Sequence, residues 1–148
     1  MSDTDLVKLY SGRILALAAD IPHLGRLPTP EGTARKRSPL CGSTVTADVV
    51  LDQGRVVEFA QDVKACALGQ AAAAVVGAAM IGRTRTEIEN ARDQLRAMLT
   101  SDGPVPTAPF DGLEVMIPAR DFKNRHASIL LSLDAAAEAV AQAETAAV

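Results

Sequence analysis

Residues 44–62, TVTADVVLDQGRVVEFAQD, decide the fold of this chain. Val45, Ala47, Val49 and Leu51 alternate with Thr44, Thr46 and Asp48, the period of a strand with one buried face. Asp52-Gln53-Gly54 is a short turn whose glycine accepts a positive φ, and Arg55 to Asp62 returns with Val57 and Phe59 on one face. The two runs read as one β-hairpin. Ser38-Pro39-Leu40-Cys41-Gly42-Ser43 precedes it, and Lys64-Ala65-Cys66-Ala67-Leu68-Gly69-Gln70 follows it. A hairpin folds its ends together, so Cys41 and Cys66, the two cysteines of the chain, are expected to be neighbours at its mouth.

On the N-terminal side, Asp5 to Ala19 has Leu6, Leu9, Tyr10, Ile14 and Leu17 roughly on one side, which predicts a helix. Asp20 to Pro30 carries Pro22, Gly25, Pro28 and Pro30 and reads as loop. Gly32 to Arg37 reads as a short edge strand, stopped by Pro39. Beyond the hairpin, the period turns helical from Cys66 to Gly82. Thr84-Arg85-Thr86-Glu87 is a capping box, in which the Thr and Glu side chains satisfy free backbone N–H groups. The helix it opens has Ile88, Ala91, Leu95, Met98 and Leu99 on one face. Asp102 to Pro109 is a Pro/Gly linker, and Leu113 to Ile117 is a short apolar piece ended by Pro118. A last helix runs from about Arg125 through Val140. The order predicts an α+β domain in which about three antiparallel strands pack against several helices. One domain spans 1–148, with 1–5 and 141–148 as frayed tails.

The length of 148 residues suits one domain that buries its core without staples. Aromatics are few, Tyr10, Phe59, Phe110 and Phe122, so the core is expected to be Ala, Val, Leu and Ile in closely packed helices. Net charge is −3, with both signs interleaved, which argues against nucleic acid as a partner. Arg35-Lys36-Arg37 reads as a solvated strand edge or a partner contact. The acidic start Met1-Ser2-Asp3-Thr4-Asp5 does not read as a signal peptide. Ala65 to Ile81 is nearly free of charge, but it is short for a span and rich in Ala and Gly, so no membrane is expected. The expected compartment is a reducing cytoplasm, where paired cysteines bind metal or do redox work more often than they form lasting disulfides.

Cys66 opens a helix, where free N–H groups and the helix dipole favour an anion such as a thiolate. It also reads as a small buried hydrophobe. Cys41 precedes Gly42, which permits a tight turn beside a bound ion. His126, in Asn124-Arg125-His126-Ala127-Ser128-Ile129-Leu130 at the start of the last helix, is the third candidate, since a neutral imidazole partners thiolates around zinc or iron. It equally reads as an ordinary helix-start histidine. His23 is expected to face solvent. Ser43 is a weaker candidate, because a hydroxyl is a poor ligand for a soft metal and a strand-start serine bonds local backbone.

Pro39-Leu40-Cys41-Gly42, the hairpin with its Gly turn, Cys66-Ala67-Leu68-Gly69-Gln70-Ala71 and Arg125-His126-Ala127-Ser128-Ile129-Leu130 together resemble the iron–sulfur cluster assembly scaffold family of IscU, SufU and the NifU N-terminal domain. The resemblance covers about Leu6 to Val140. It implies a SufE/NifU-like fold and a scaffold rather than an enzyme. The scaffold would bind iron, zinc or a transient [2Fe-2S] cluster through Cys41, Cys66 and His126. It implies a cysteine desulfurase and apo iron–sulfur acceptor proteins as partners, and a monomer or weak homodimer. Two departures stand out. The family's aspartate is Ser43 here, and its third cysteine is missing. In one register Ala127 replaces that cysteine and His126 matches a family histidine; in the other His126 itself replaces it. Two further readings follow from the departures. One is a degenerate, zinc-bound or metal-free module that regulates a cysteine desulfurase. The other is a sulfur relay that carries a persulfide on Cys66.

Overall fold

The computed structural model describes residues 11–146. Helix α1 (Gly12–Ala18) leads into strands β1 (Gly32–Arg37), β2 (Thr44–Asp52) and β3 (Arg55–Lys64). Helices α2 (Ala67–Ala79) and α3 (Arg85–Thr100) follow, then 3-10 helices over Asp111–Asp121 and Lys123–Arg125, and finally α4 (His126–Ala146). The three strands form one antiparallel sheet in the order β1-β2-β3, and all the helices after α1 follow it, so the α+β expectation holds. Leu6, Leu9 and Tyr10 of the expected first helix lie outside the described residues; Ile14 is buried in the core.

The hairpin is where it was expected, with a detail that alternation does not reveal. Gln53 and Gly54 both have positive φ, 51° and 77°, the conformation of a two-residue turn whose twist matches the strands. Val50 pairs with Glu58 and Leu51 with Val56, so Val57 is an extra residue. This bulge shifts the phase of β3. Val56 and Phe59 are buried, while Val57 is exposed rather than sharing a face with Phe59. The strand also continues to Lys64.

α4 is the hub of the packing. It lies against β1, β2, α2 and α3, and Leu133, Ala135, Ala136, Ala139, Val140 and Ala143 are among its buried residues. Its small side chains let the sheet come close. At Gly32 a Cβ would strike the carbonyl oxygen of Ala139 and approach the Ala143 nitrogen to 2.9 Å. α4 extends past Val140 to Ala146. The capping box of α3 is complete: Glu87 N–H donates to Thr84 Oγ1 at 3.2 Å, and Thr84 N–H donates to Glu87 Oε1 at 3.1 Å. The predicted face of α3 is the buried one. Pro118 does not end its segment; the 3-10 helix runs through it to Asp121, because the fixed φ of proline matches the φ of a 3-10 turn.

The loop between α1 and β1 covers part of the sheet and buries a charge. Asp48 was expected on the solvated side of β2, yet it is fully buried. Arg26 donates to both of its oxygens, at 2.7 and 3.1 Å, while Leu27 N–H and Thr33 Oγ1 donate at 3.1 and 2.7 Å. Burial pushes the Asp48 carboxyl up, but the bonds from Arg26, Thr33 and Leu27 outweigh it and hold the carboxyl below the usual aspartate range. The same loop bonds to β3: Gly25 N–H donates to Gln61 O, and Gln61 N–H donates to His23 O, both at 2.9 Å. His23 is exposed, with its ring edge-on to Phe59. At the other end of β3, Val56 N–H donates to Arg83 O and Gly82 N–H to Val56 O. Arg35 and Arg37 are exposed, and Lys36 pairs with Glu138 of α4 at 3.0 Å.

Two outcomes follow. Gly32→Ala is expected to destabilise the protein by about 1–3 kcal/mol in urea unfolding, since β1 or α4 must move to admit the methyl group. Arg26→Ala is expected to lower the urea midpoint, by less than is usual for stranding a buried charge because half of Arg26 faces water. Because the folded-state pKa of Asp48 is depressed, the stability this cluster supplies is full above the ordinary aspartate pKa and is lost as pH falls through the lower folded value. The gap between wild type and Arg26→Ala should therefore close in acid, as read by unfolding curves across that range.

Candidate functional site

Cys41 lies in the turn that joins β1 to β2. Ser38 closes this turn at both ends: its N–H donates to Ser43 O at 2.8 Å, and its carbonyl accepts from Gly42 N–H at 2.9 Å. Gly42 has φ +70°, which a glycine adopts at no steric cost. The turn presents Cys41 and Leu40 to solvent, Leu40 with 75% of its surface exposed. Behind the sulfur the environment is polar and closed. Three serine hydroxyls converge on Cys41 Sγ: Ser38 at 3.2 Å, Ser43 at 3.1 Å and Ser128 at 2.6 Å. All three serines are buried, and Ser128 Oγ also lies 3.3 Å from Ser43 Oγ.

This cradle suits an anion. Partial burial raises the Cys41 pKa, but hydrogen bonds from Ser128, Ser38 and Ser43, with the backbone of Ser43, more than reverse it. The thiol falls from its ordinary 9.0 to about 6, so Cys41 is a thiolate at neutral pH. In that state the hydroxyls donate to sulfur, and an exposed thiolate is a nucleophile and a metal ligand.

Cys66 is the N-cap residue of α2, with φ −66° and ψ 170° and no side-chain cap bond. It is partly buried against the core. The pairing of Thr44 with Lys64 sets Cys41 and Cys66 just beyond the same end of the β2–β3 hairpin. α4 ties the two segments together at Ser128. The hydroxyl of Ser128 meets Cys41, and its carbonyl oxygen lies 3.2 Å from where a Cβ on Gly69 would stand, in the first turn of α2.

His126 has other partners. Its Nε2 lies 2.9 Å from Ala119 O and 3.1 Å from Arg120 O. Carbonyls only accept, so Nε2 carries a proton. The ring lines a pocket of about 440 Å³ with Leu99, Thr100, Asp102, Arg120, Asp121 and Lys123. Residues two apart on a helix point about 200° from each other, so α4 turns His126 away from the side that bears Ser128. Among the described residues, no three His, Cys, Asp or Glu side chains converge as a metal would require. The nearest donors to Cys41 are hydroxyls. Sequence reasoning weighed Ser43 but missed Ser38 and Ser128. The helical period of 126–130, read from His126, would have separated His126 from Ser128, but nothing local says which of the two faces the hairpin.

No family model matches the chain, and no curated protein does. Solved structures do. The nitrogen-fixing NifU-like protein (N-terminal) from Brucella abortus is 42% identical, covering 95% of this chain and 98% of that one, with a TM-score of 0.92. A protein from the thermophile Fervidobacterium islandicum AW-1, assigned as an iron–sulfur cluster assembly scaffold for the SUF system, shares the fold at 19% identity, with 90% and 98% coverage and a TM-score of 0.75. Identity over nearly the whole length of the Brucella protein, together with the cysteine-bearing turn and helix start at one end of the sheet, makes the chain a member of the NifU-like (N-terminal domain) family of iron–sulfur cluster assembly scaffolds.

Proposed function

We propose that this protein receives and hands on the iron of iron–sulfur assembly, with Cys41 and Cys66 as its sulfur donors. The observation that carries this reading is the Cys41 thiolate, exposed at the mouth of the hairpin and backed by three buried hydroxyls. The cargo is iron, zinc or a transient [2Fe-2S] cluster. Thiolates suit such soft and borderline metals. Two cysteines fall short of the four protein ligands such a cluster takes, so the cargo is held loosely and with help. His126 is the remaining candidate ligand through Nδ1, because a metal-bound imidazole commonly donates its other N–H to a carbonyl, as Nε2 does here. The protein acts as a carrier and not as a catalyst. Its partners are a cysteine desulfurase, in keeping with the SUF assignment of the Fervidobacterium relative, and apo iron–sulfur proteins, in the reducing cytoplasm. The exposed Leu40 beside Cys41 offers such partners an apolar contact.

A second reading is favoured by the lack of a converging three-ligand group among the described residues. In it the protein is a zinc-bound or metal-free module that regulates a desulfurase.

Anaerobic loading with ferrous iron, followed by native mass spectrometry, separates the two readings. Cys41→Ser and Cys66→Ser are each expected to weaken iron binding by about tenfold or more. Iron content untouched by either change would remove the carrier reading and leave the regulatory one. His126→Ala weakens binding only if its imidazole is a ligand. The Cys41 thiolate has its own test. Alkylation by iodoacetamide across pH should show a midpoint of about 6 for Cys41. Ser128→Ala should raise that midpoint by about one pH unit, since it removes one hydrogen bond to a charged group.

A further inference from the structure

Among the described residues, β1 has an open outer edge. Ser38, one residue past β1, points its N–H at β2 and donates to Ser43 O at 2.8 Å. Successive residues of a strand turn their backbone groups to opposite sides, so Thr33, Arg35 and Arg37 turn theirs outward. Thr33 shows what this edge accepts: its N–H donates to the side-chain carbonyl of Gln142 on α4 at 3.3 Å. The backbone groups of Arg35 and Arg37 have no such partner among the described residues. Room and charge lie beside them. Two clefts of about 320 and 410 Å³ lie on the surface of α4 and share Glu138 and Ala141. Lys36 lines the first, and Gln142 lines the second. Side chains alternate along a strand. Lys36 points to α4, where it pairs with Glu138 at 3.0 Å, so Arg35 and Arg37 lie on the other face. Both are exposed, and neither is ion-paired among the described residues.

We propose that the outer edge of β1 is a docking site for an extended acidic segment of a partner protein, which adds to the sheet as a fourth strand. Main-chain bonds to Arg35 and Arg37 hold the segment, and alternation sets its pattern. Its residues beside Arg35 and Arg37 are Glu or Asp. The residues between them face α4 and are apolar, filling the clefts at Ala141. The same cations turn away a second copy of this chain, because pairing β1 with β1 sets arginine against arginine. A bulge or a proline would close the edge to every strand. β1 has neither, and its register with β2 is regular from Gly32 to Arg37. The edge thus selects its occupant by charge and does not refuse all occupants. Neither Cys41 nor Cys66 takes part, so the proposal stands apart from the carrier reading.

A fluorescein-labelled peptide, Thr-Glu-Val-Glu-Val-Glu-Thr, titrated with the full-length protein and read by anisotropy, tests this. Two peptides of equal charge are controls. One carries its glutamates in a block, and the other is N-methylated throughout and donates no main-chain bonds. The alternating peptide is expected to bind wild type, and each control about tenfold more weakly or worse. The double variant Arg35→Glu, Arg37→Glu should bind the alternating peptide about tenfold more weakly or worse, while Arg13→Glu on α1 should leave binding unchanged. Deuterium exchange of the Arg35 and Arg37 amides should slow at saturation. Equal binding of either control overturns strand addition, and so does exchange at Arg35 and Arg37 that stays as fast with peptide as without. No binding of the alternating peptide at the highest soluble protein concentration also overturns the proposal. Tighter binding of a labelled oligothymidine at the same ionic strength would make this edge a nucleic-acid surface and overturn it as well.

Discussion

The close approach of α4 to the sheet is the constraint on which the rest of the molecule depends. A helix lined with alanine can sit nearer a β-sheet than one lined with leucine, because contact distance follows side-chain size. The protein uses that freedom fully at Gly32, where even a methyl group has no room beside Ala139. This approach sets how deeply α4 reaches at its other end. Ser128 lies near the start of the same helix, which packs on β1 and β2, and its hydroxyl reaches the Cys41 turn. A core built from large side chains would hold α4 further out, and Cys41 would lose its third hydroxyl.

The site divides its work between rigid and exposed parts. The turn carries the sulfur outward, while the groups that stabilise its charge are buried behind it and come from the turn itself and from α4. An approaching metal or partner thus meets a ready anion and need not reorder the protein to create it. His126 does a different job at the same end of α4. Its bonds to the carbonyls of Ala119 and Arg120 pin the 3-10 segment to the first turn of the helix.

Much of this was legible in the sequence because it is written in local patterns. The alternation of Val45, Ala47 and Val49, the Gly54 turn and the Thr84–Glu87 box each specify a short stretch without reference to anything distant, and the placement of both cysteines follows from the hairpin alone. What escaped depends on partners far along the chain. Asp48 reads as a solvated residue until Arg26 and Thr33 are known to surround it. Val57 reads as inward until a bulge shifts its strand by one. Ser128 is an ordinary helix serine until the Cys41 turn is brought to it.

The outer edge of β3 gives the protein a further property. An unpaired strand edge invites another chain to add to it. Here the loop at His23 and Gly25 occupies one end of that edge, and the segment at Gly82 and Arg83 occupies the other. Between them lie the bulge and the charged Glu58, neither of which suits regular pairing. A protein that must keep a reactive thiolate exposed at one end of its sheet is thereby protected along this edge from growing into a sheet shared between copies.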